Sequence, residues 1–92
     1  MDEIFPRYEA LTGLSAKSYE IRKMKVRWGT CYPQRGDIKI NLYLAARPLE
    51  QIEAVVLHEL VHLKFFHHDK NFINECKKYM ENYEEIEREL KT

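Results

Sequence analysis

Residues 58–62 read His-Glu-Leu-Val-His, an H-E-x-x-H signature, and a further histidine follows at His68. The signature sits in an apolar run from Ile52 to Phe66. Val55, Val56, Leu57, Leu60, Val61 and Leu63 leave that segment apolar nearly all round, which predicts a buried helix. Buried histidines need partners. Histidines at i and i+4 lie on one helical face, about 40° apart. Both imidazoles can therefore reach one cation at roughly 2.0–2.1 Å. Glu59 stands one step round the helix, off the ligand pair but within reach of a water on that cation. Two ligands and a general base within two turns is the arrangement of zinc proteases.

The rest of the chain frames this helix. With 92 residues it predicts one domain, residues 1–92, with a real but small core to which a bound metal would add folding energy. Fifteen basic and fifteen acidic residues cancel, so no global field recruits nucleic acid. Cys31 and Cys76 make no disulfide framework, and a reducing cytoplasm is the simpler setting. No apolar run approaches the roughly 20 residues needed to span a bilayer, and Met1-Asp2-Glu3 is not the basic start of a signal peptide. A soluble cytoplasmic protein is expected, with no membrane partner.

Ile4, Phe5, Tyr8 and Leu11 fall at helical spacing and Gly13 supplies a stop, predicting a helix over 2–11. Tyr19 and Ile21 alternate with polar residues, as do Met24, Val26 and Trp28, with a change of phase near Arg22-Lys23 that predicts a bulge or bend. Ile38, Ile40 and Leu42 alternate again beyond the Pro33 and Gly36 punctuation. Strands are expected over 25–30 and 37–42, paired as a hairpin, with 18–23 as a third. Pro48 opens the signature helix, which should run to about Lys64. Asp69 looks like the N-cap of a next helix carrying Phe72, Ile73, Cys76, Tyr79 and Met80, and Asn82 could cap a last one bearing Tyr83, Ile86 and Leu90. The expected fold class is α+β: a small antiparallel three-stranded sheet, an N-terminal helix, the H-E-x-x-H helix and two C-terminal helices.

A catalytic zinc commonly takes three protein ligands and keeps one open position. Were the helix to continue, His68 would point about 120° from the pair, so the chain must break near Phe65-Phe66 and turn back. His68 is the favoured third ligand, with His67, Asp69 and Glu75 as alternatives. The spacing also matches H-E-x-x-H-x-x-G-x-x-H, but Phe65 stands where that pattern needs glycine, and no convincing Met-turn follows.

Lys25-Val26-Arg27-Trp28-Gly29-Thr30-Cys31, Gly36-Asp37-Ile38-Lys39-Ile40-Asn41, His58-Glu59-Leu60-Val61-His62-Leu63, and then His68 and Phe72 together resemble the YgjP-like, WLM-type metallopeptidases. Those carry an R-W-G-S-C…G-x-I-x-x-N hairpin before H-E-L-x-H-L…N-H-S-x-x-F. The likeness runs from about Ser18 to the C-terminus. It implies a minimal zincin-like domain related to SprT-like proteases, one zinc ion on His58, His62 and His68, and Glu59 as catalytic acid and base. Thr30 replaces the usual serine, and His67-His68-Asp69 replaces N-H-S. Longer members have an additional N-terminal region, most of which this chain is expected to lack, so their substrate selection need not transfer.

The expected activity is hydrolysis of a peptide bond by metal-activated water, with a peptide or protein as substrate and Glu59 carrying the proton. Arg27, Trp28, Asn41 and Tyr43 are candidate substrate contacts, and the hairpin edge could pair with an extended peptide. The bland alternative makes Trp28 and Arg27 architectural and the cluster Arg22, Lys23, Lys25 and Arg27 a solvated strand face. Tyr32, Tyr43, Arg27 and His67 are candidate oxyanion donors. Cys31 lacks an evident base and is a poor nucleophile candidate. Two rival functions are a metal-dependent hydrolase of a nucleotide or small amide, and a non-catalytic zinc-stabilised module that binds protein or, as the relatives suggest, nucleic acid. Glu59 speaks against the second, because a structural site usually closes with four protein ligands.

Overall fold

A computed structural model describes residues 3–25, 27–67 and 69–91, residue 91 by its backbone alone. The elements run α1 (Ile4–Thr12), β1 (Ser18–Arg22), β2 (Gly29–Tyr32), β3 (Asp37–Asn41), a short 3-10 helix (Leu42–Ala46), α2 (Leu49–His62), α3 (Lys70–Tyr79) and α4 (Tyr83–Lys91). The α+β class is as the sequence predicts. Helix α1 buries Ile4, Phe5 and Tyr8 and ends at Gly13, whose left-handed φ of 74° lets its N–H close on the Glu9 carbonyl at 3.0 Å.

The sheet departs from expectation. Its order is β1-β3-β2, with β2 antiparallel to β3 but β1 parallel to it, so the sheet is mixed rather than antiparallel throughout. The change of phase after Arg22 marks neither a bulge nor a continuing strand. There the chain leaves one edge of the sheet, passes the end of the central strand and enters the opposite edge at Gly29. Asn41, the last residue of β3 and buried, holds that crossing. Its side-chain amide donates to the carbonyls of Met24 (3.0 Å) and Arg27 (2.8 Å), and its backbone N–H donates to Trp28 (2.9 Å). Its side-chain oxygen accepts from the Tyr43 N–H at 3.0 Å and so caps the 3-10 helix. Lys25, Arg27 and Trp28, expected in a strand, are spent on the crossing, and β2 starts four residues later than predicted. Val26 lies outside the described residues.

Helix α2 is the centre of the molecule. Pro48 accepts from the N–H groups of Gln51 and Ile52 at its start, and nine of the positions from Gln51 to Val61 are buried. Ile38 and Ile40 of β3 lie under it, and Phe5, Leu44, Phe72, Cys76, Tyr83 and Ile86 complete the core around it. The helix stops at His62, as the break expected before Phe66 requires. Asp69 restarts the chain as a helix by accepting from the N–H groups of Asn71 (3.0 Å) and Phe72 (3.2 Å).

At the hairpin end of the sheet, Ser18 Oγ donates to Asp37 Oδ1 (2.7 Å) and Arg35 Nε to Oδ2 (3.0 Å), tying β1 to β3 where they begin. The Ser18 bond above all, then that of Arg35, holds the Asp37 carboxyl below the ordinary carboxylate range. A depressed carboxyl pKa gives stability that is present above the unfolded value and lost as pH falls through the folded one. In Ser18→Ala the Asp37 pKa should rise toward an ordinary aspartate, as read by carboxyl-carbon NMR titration. An unchanged titration would deny the serine its role.

Candidate active site

The three polar residues of the signature leave α2 in different directions. His58 and His62 turn one face toward α3, with ring centroids 4.9 Å apart and planes nearly perpendicular at 74°. Phe72, fully buried in the first turns of α3, lies against both rings, at 5.0 Å from His58 and 4.7 Å from His62. An aromatic side chain thus limits the rotation of both imidazoles. Glu59 points toward the sheet and is 5% exposed. One donor atom from each of His58, Glu59 and His62 lies within 4.8 Å of the others, close enough to hold a metal ion. The nitrogen of His58 that faces this cluster is Nε2, 4.0 Å from Glu59 Oε2. Its other nitrogen, Nδ1, lies 2.6 Å from the Tyr83 hydroxyl. A donor set of two imidazoles with an adjacent carboxylate suits zinc.

Burial sets the electrostatics. Desolvation pushes the Glu59 carboxyl up to about 8, against the opposing pull of the Arg27 charge. A divalent cation beside the two histidines would act in the same sense as Arg27 and favour the ionised form. Burial, and then the charge of Glu59, pushes the Cys31 thiol up to about 12, which disqualifies it as a thiolate nucleophile. The Cys76 thiol is likewise pushed to about 12 by burial, and burial keeps the Tyr83 phenol un-ionised.

Strand β2 comes into direct contact with Glu59. A Cβ on Gly29 would meet Glu59 Oε2 at 2.9 Å, Glu59 Cγ at 3.1 Å and Val55 Cγ1 at 3.1 Å. The glycine of the W-G-T-C sequence is therefore required by close approach, since no turn is made there. Beside this contact opens a cavity of about 370 Å³ whose walls include Arg27, Trp28, Val55, Glu59, Tyr83 and Leu90. Trp28 spans it, donating its indole N–H to the Leu90 carbonyl at 3.1 Å.

Of the candidates named from sequence, the structure brings together His58, Glu59 and His62, with Arg27 and Trp28 on the cavity wall. His68 lies outside the described residues. Among the alternatives to it, Asp69 is occupied as a helix cap, His67 is exposed, and the Glu75 carboxylate takes Lys78 at 3.3 Å. Asn41 spends its side chain on backbone groups, and Tyr43 is exposed on the 3-10 helix; neither is among the cavity's lining residues. Tyr32 is also exposed, stacked under Arg35 and Lys39. Arg22, Lys23, Lys25 and Arg27 are all exposed, and Arg22 pairs with Glu20 at 2.7 Å. Sequence reasoning passed over Gly29 and Tyr83. For Tyr83 the available signal was a tyrosine on a core-facing stripe, whose hydroxyl must find a partner when buried.

Solved structures of similar architecture come from two archaea. The crystal structure of the metallopeptidase zymogen of Pyrococcus abyssi abylysin superposes with a TM-score of 0.84 at 22% identity, covering 97% of this chain and 90% of that one. The metallopeptidase zymogen of Methanocaldococcus jannaschii jannalysin gives 0.82 at 23% identity, covering 97% and 91%. At that identity the likeness establishes the zincin-like fold. No curated protein matches the sequence significantly. A family model, that of the YgjP-like metallopeptidase domain, matches residues 1–92 from end to end. The buried helix, its histidine pair and the carboxylate lodged against a glycine strand thus belong to a member of the YgjP-like metallopeptidase family.

Proposed function

We propose that the chain is a zinc-dependent peptidase that uses one zinc ion and Glu59 as general base. The observation that carries this reading is the convergence of His58, Glu59 and His62 within 4.8 Å on a buried helix that abuts an edge strand. His58 through Nε2, His62, and His68 by its spacing and its match to the family motif, would hold the ion. Zinc bound there supplies Lewis acidity toward the scissile carbonyl and lowers the pKa of a water to about 7. Glu59 takes a proton from the attacking water at its carboxylate and delivers it to the departing amine nitrogen, so that acid and amine leave with the water's atoms shared between them. Gly29 lets the backbone of β2 lie against that carboxylate. An extended peptide laid along the free edge of β2 would run past it, paired by main-chain hydrogen bonds. Arg27, Trp28 and Val55 would receive a side chain in the adjoining cavity. Among the described residues no helix is long and apolar enough to cross a membrane.

The two archaeal neighbours are described as zymogens. In this chain Tyr83, Glu87 and Leu90 of α4 line the cavity, and the Trp28–Leu90 hydrogen bond closes across it. A substrate group larger than this space would have to displace part of that helix, which would keep the resting enzyme slow.

Three outcomes test the reading. The protein should carry about one zinc per chain by plasma mass spectrometry, lost in His58→Ala, His62→Ala and His68→Ala; retention in His68→Ala would pass the third position to another residue. Glu59→Gln should keep the zinc and lose roughly a hundred- to ten-thousand-fold in turnover of an unfolded protein or peptide panel; undiminished cleavage would remove Glu59 from the chemistry. Gly29→Ala should swing the carboxylate aside, because its oxygens can move where Val55 and the strand cannot. Turnover should then drop at least about tenfold while the overpacking costs roughly 1–3 kcal/mol of stability, and wild-type turnover in this variant would show the close approach to be idle.

A further inference from the structure

Helix α4 contributes one buried polar group to the interior, the hydroxyl of Tyr83. The residue is 1% exposed, and its ring lies nearly parallel to that of His58, with centroids 6.4 Å apart and planes at 22°. Its oxygen is 2.6 Å from His58 Nδ1, a hydrogen bond that joins residues 25 apart in sequence. A hydrogen bond of that length has one proton on its line, and where that proton is the ring's the Tyr83 oxygen accepts from Nδ1–H of His58.

We propose that Tyr83 is the positioning residue of the metal centre, holding His58 as its Nδ1–H tautomer with Nε2 turned toward Glu59 and His62. The inference rests on the metal-binding reading above. A core tyrosine without this role would need only some partner for its hydroxyl. Here the partner is the ring nitrogen opposite the one that faces the cluster, which is where ligand histidines are oriented by an outer group. Phe72 restrains the His58 ring by contact; Tyr83 restrains which of its nitrogens carries the proton. Because Tyr83 belongs to α4, the readiness of the site to take metal depends on that helix being docked.

The test is Tyr83→Phe, which keeps the ring and removes the hydroxyl. Two-bond nitrogen–proton correlation on the metal-free protein reports the tautomer of His58 directly. The wild type should show the Nδ1–H form, and Tyr83→Phe a mixture or the Nε2–H form. In competition with a chromophoric chelator, the variant should bind zinc about ten- to a hundred-fold more weakly, with its melting curve close to that of the wild type. An Nε2–H tautomer in the wild type overturns the proposal without recourse to any variant, as does an unchanged tautomer or an unchanged zinc affinity in Tyr83→Phe. A wild-type protein that takes no zinc would instead overturn the metal centre, and the tautomer measurement would still decide the hydrogen bond.

Discussion

The structure turns on a carboxylate placed inside it. Glu59 is carried by the most thoroughly buried helix of the molecule, yet its side chain has only a small opening to solvent and rests against the backbone of β2. Burial of an ionisable group works against folding unless charge or hydrogen bonding compensates. The pull of Arg27 is weaker than the cost of desolvation, and the Glu59 carboxyl is accordingly raised well above its ordinary range. Removing the carboxylate would relieve that penalty, so its presence in the core has no structural rationale. A cation between His58 and His62 would supply the missing compensation. The same ion that the chemistry needs would then stabilise the fold, a linkage of most consequence in a chain of 92 residues with a core of limited size.

That constraint explains why neighbouring elements are placed as they are. On the proposed mechanism Glu59 must be reached by a substrate, which an edge strand beside it allows; β2 is one, because the chain crosses the end of β3 before turning back into the middle. The crossing needs its own hydrogen-bond partners, and Asn41 provides them at the end of the central strand. A residue with the look of a substrate contact is thereby committed to holding the chain segment that delivers Trp28 and Gly29 to the cavity. Asn41 bears on the site through the backbone it supports.

Legibility in the sequence followed the range of the interactions. The histidine pair, Glu59, the Pro48 start, a break between the histidine pair and Asp69, and the Asp69 cap are each set by residues within a turn or two of one another, and local pattern reveals them, though the helix ends at His62 rather than about Lys64. The antiparallel sheet expected with 18–23 as third strand fails at β1, which runs parallel to β3 because the chain crosses the end of β3 before β2, a crossing held by Asn41, thirteen residues beyond Trp28. Periodicity could place Met24 and Val26 on an alternating pattern but could not show which sheet edge that pattern served. Gly29 read as part of a motif with no stated reason, since the reason is an oxygen atom thirty residues away. Tyr83 read as core, correctly as to burial, and its hydroxyl was the part that periodicity does not address.

The site is thus local in its chemistry and distributed in its support. Helix α2 alone supplies the histidine pair and the base, while β2 sets the carboxylate by contact at Gly29, α3 holds both imidazole rings with Phe72, and α4 meets the far side of His58 with Tyr83. A small domain has few layers between any element and its centre, so each of these contacts is direct. The consequence is that none of β2, α3 and α4 can loosen without being felt at the histidines or at Glu59. Helix α4 illustrates this best: it touches the centre at Tyr83 and the cavity at Leu90, so a movement that opened the cavity would also release the ring that His58 leans on. Helix α4 thus joins the wall of the cavity to the support of His58, and a displacement of its first turn would be felt at both.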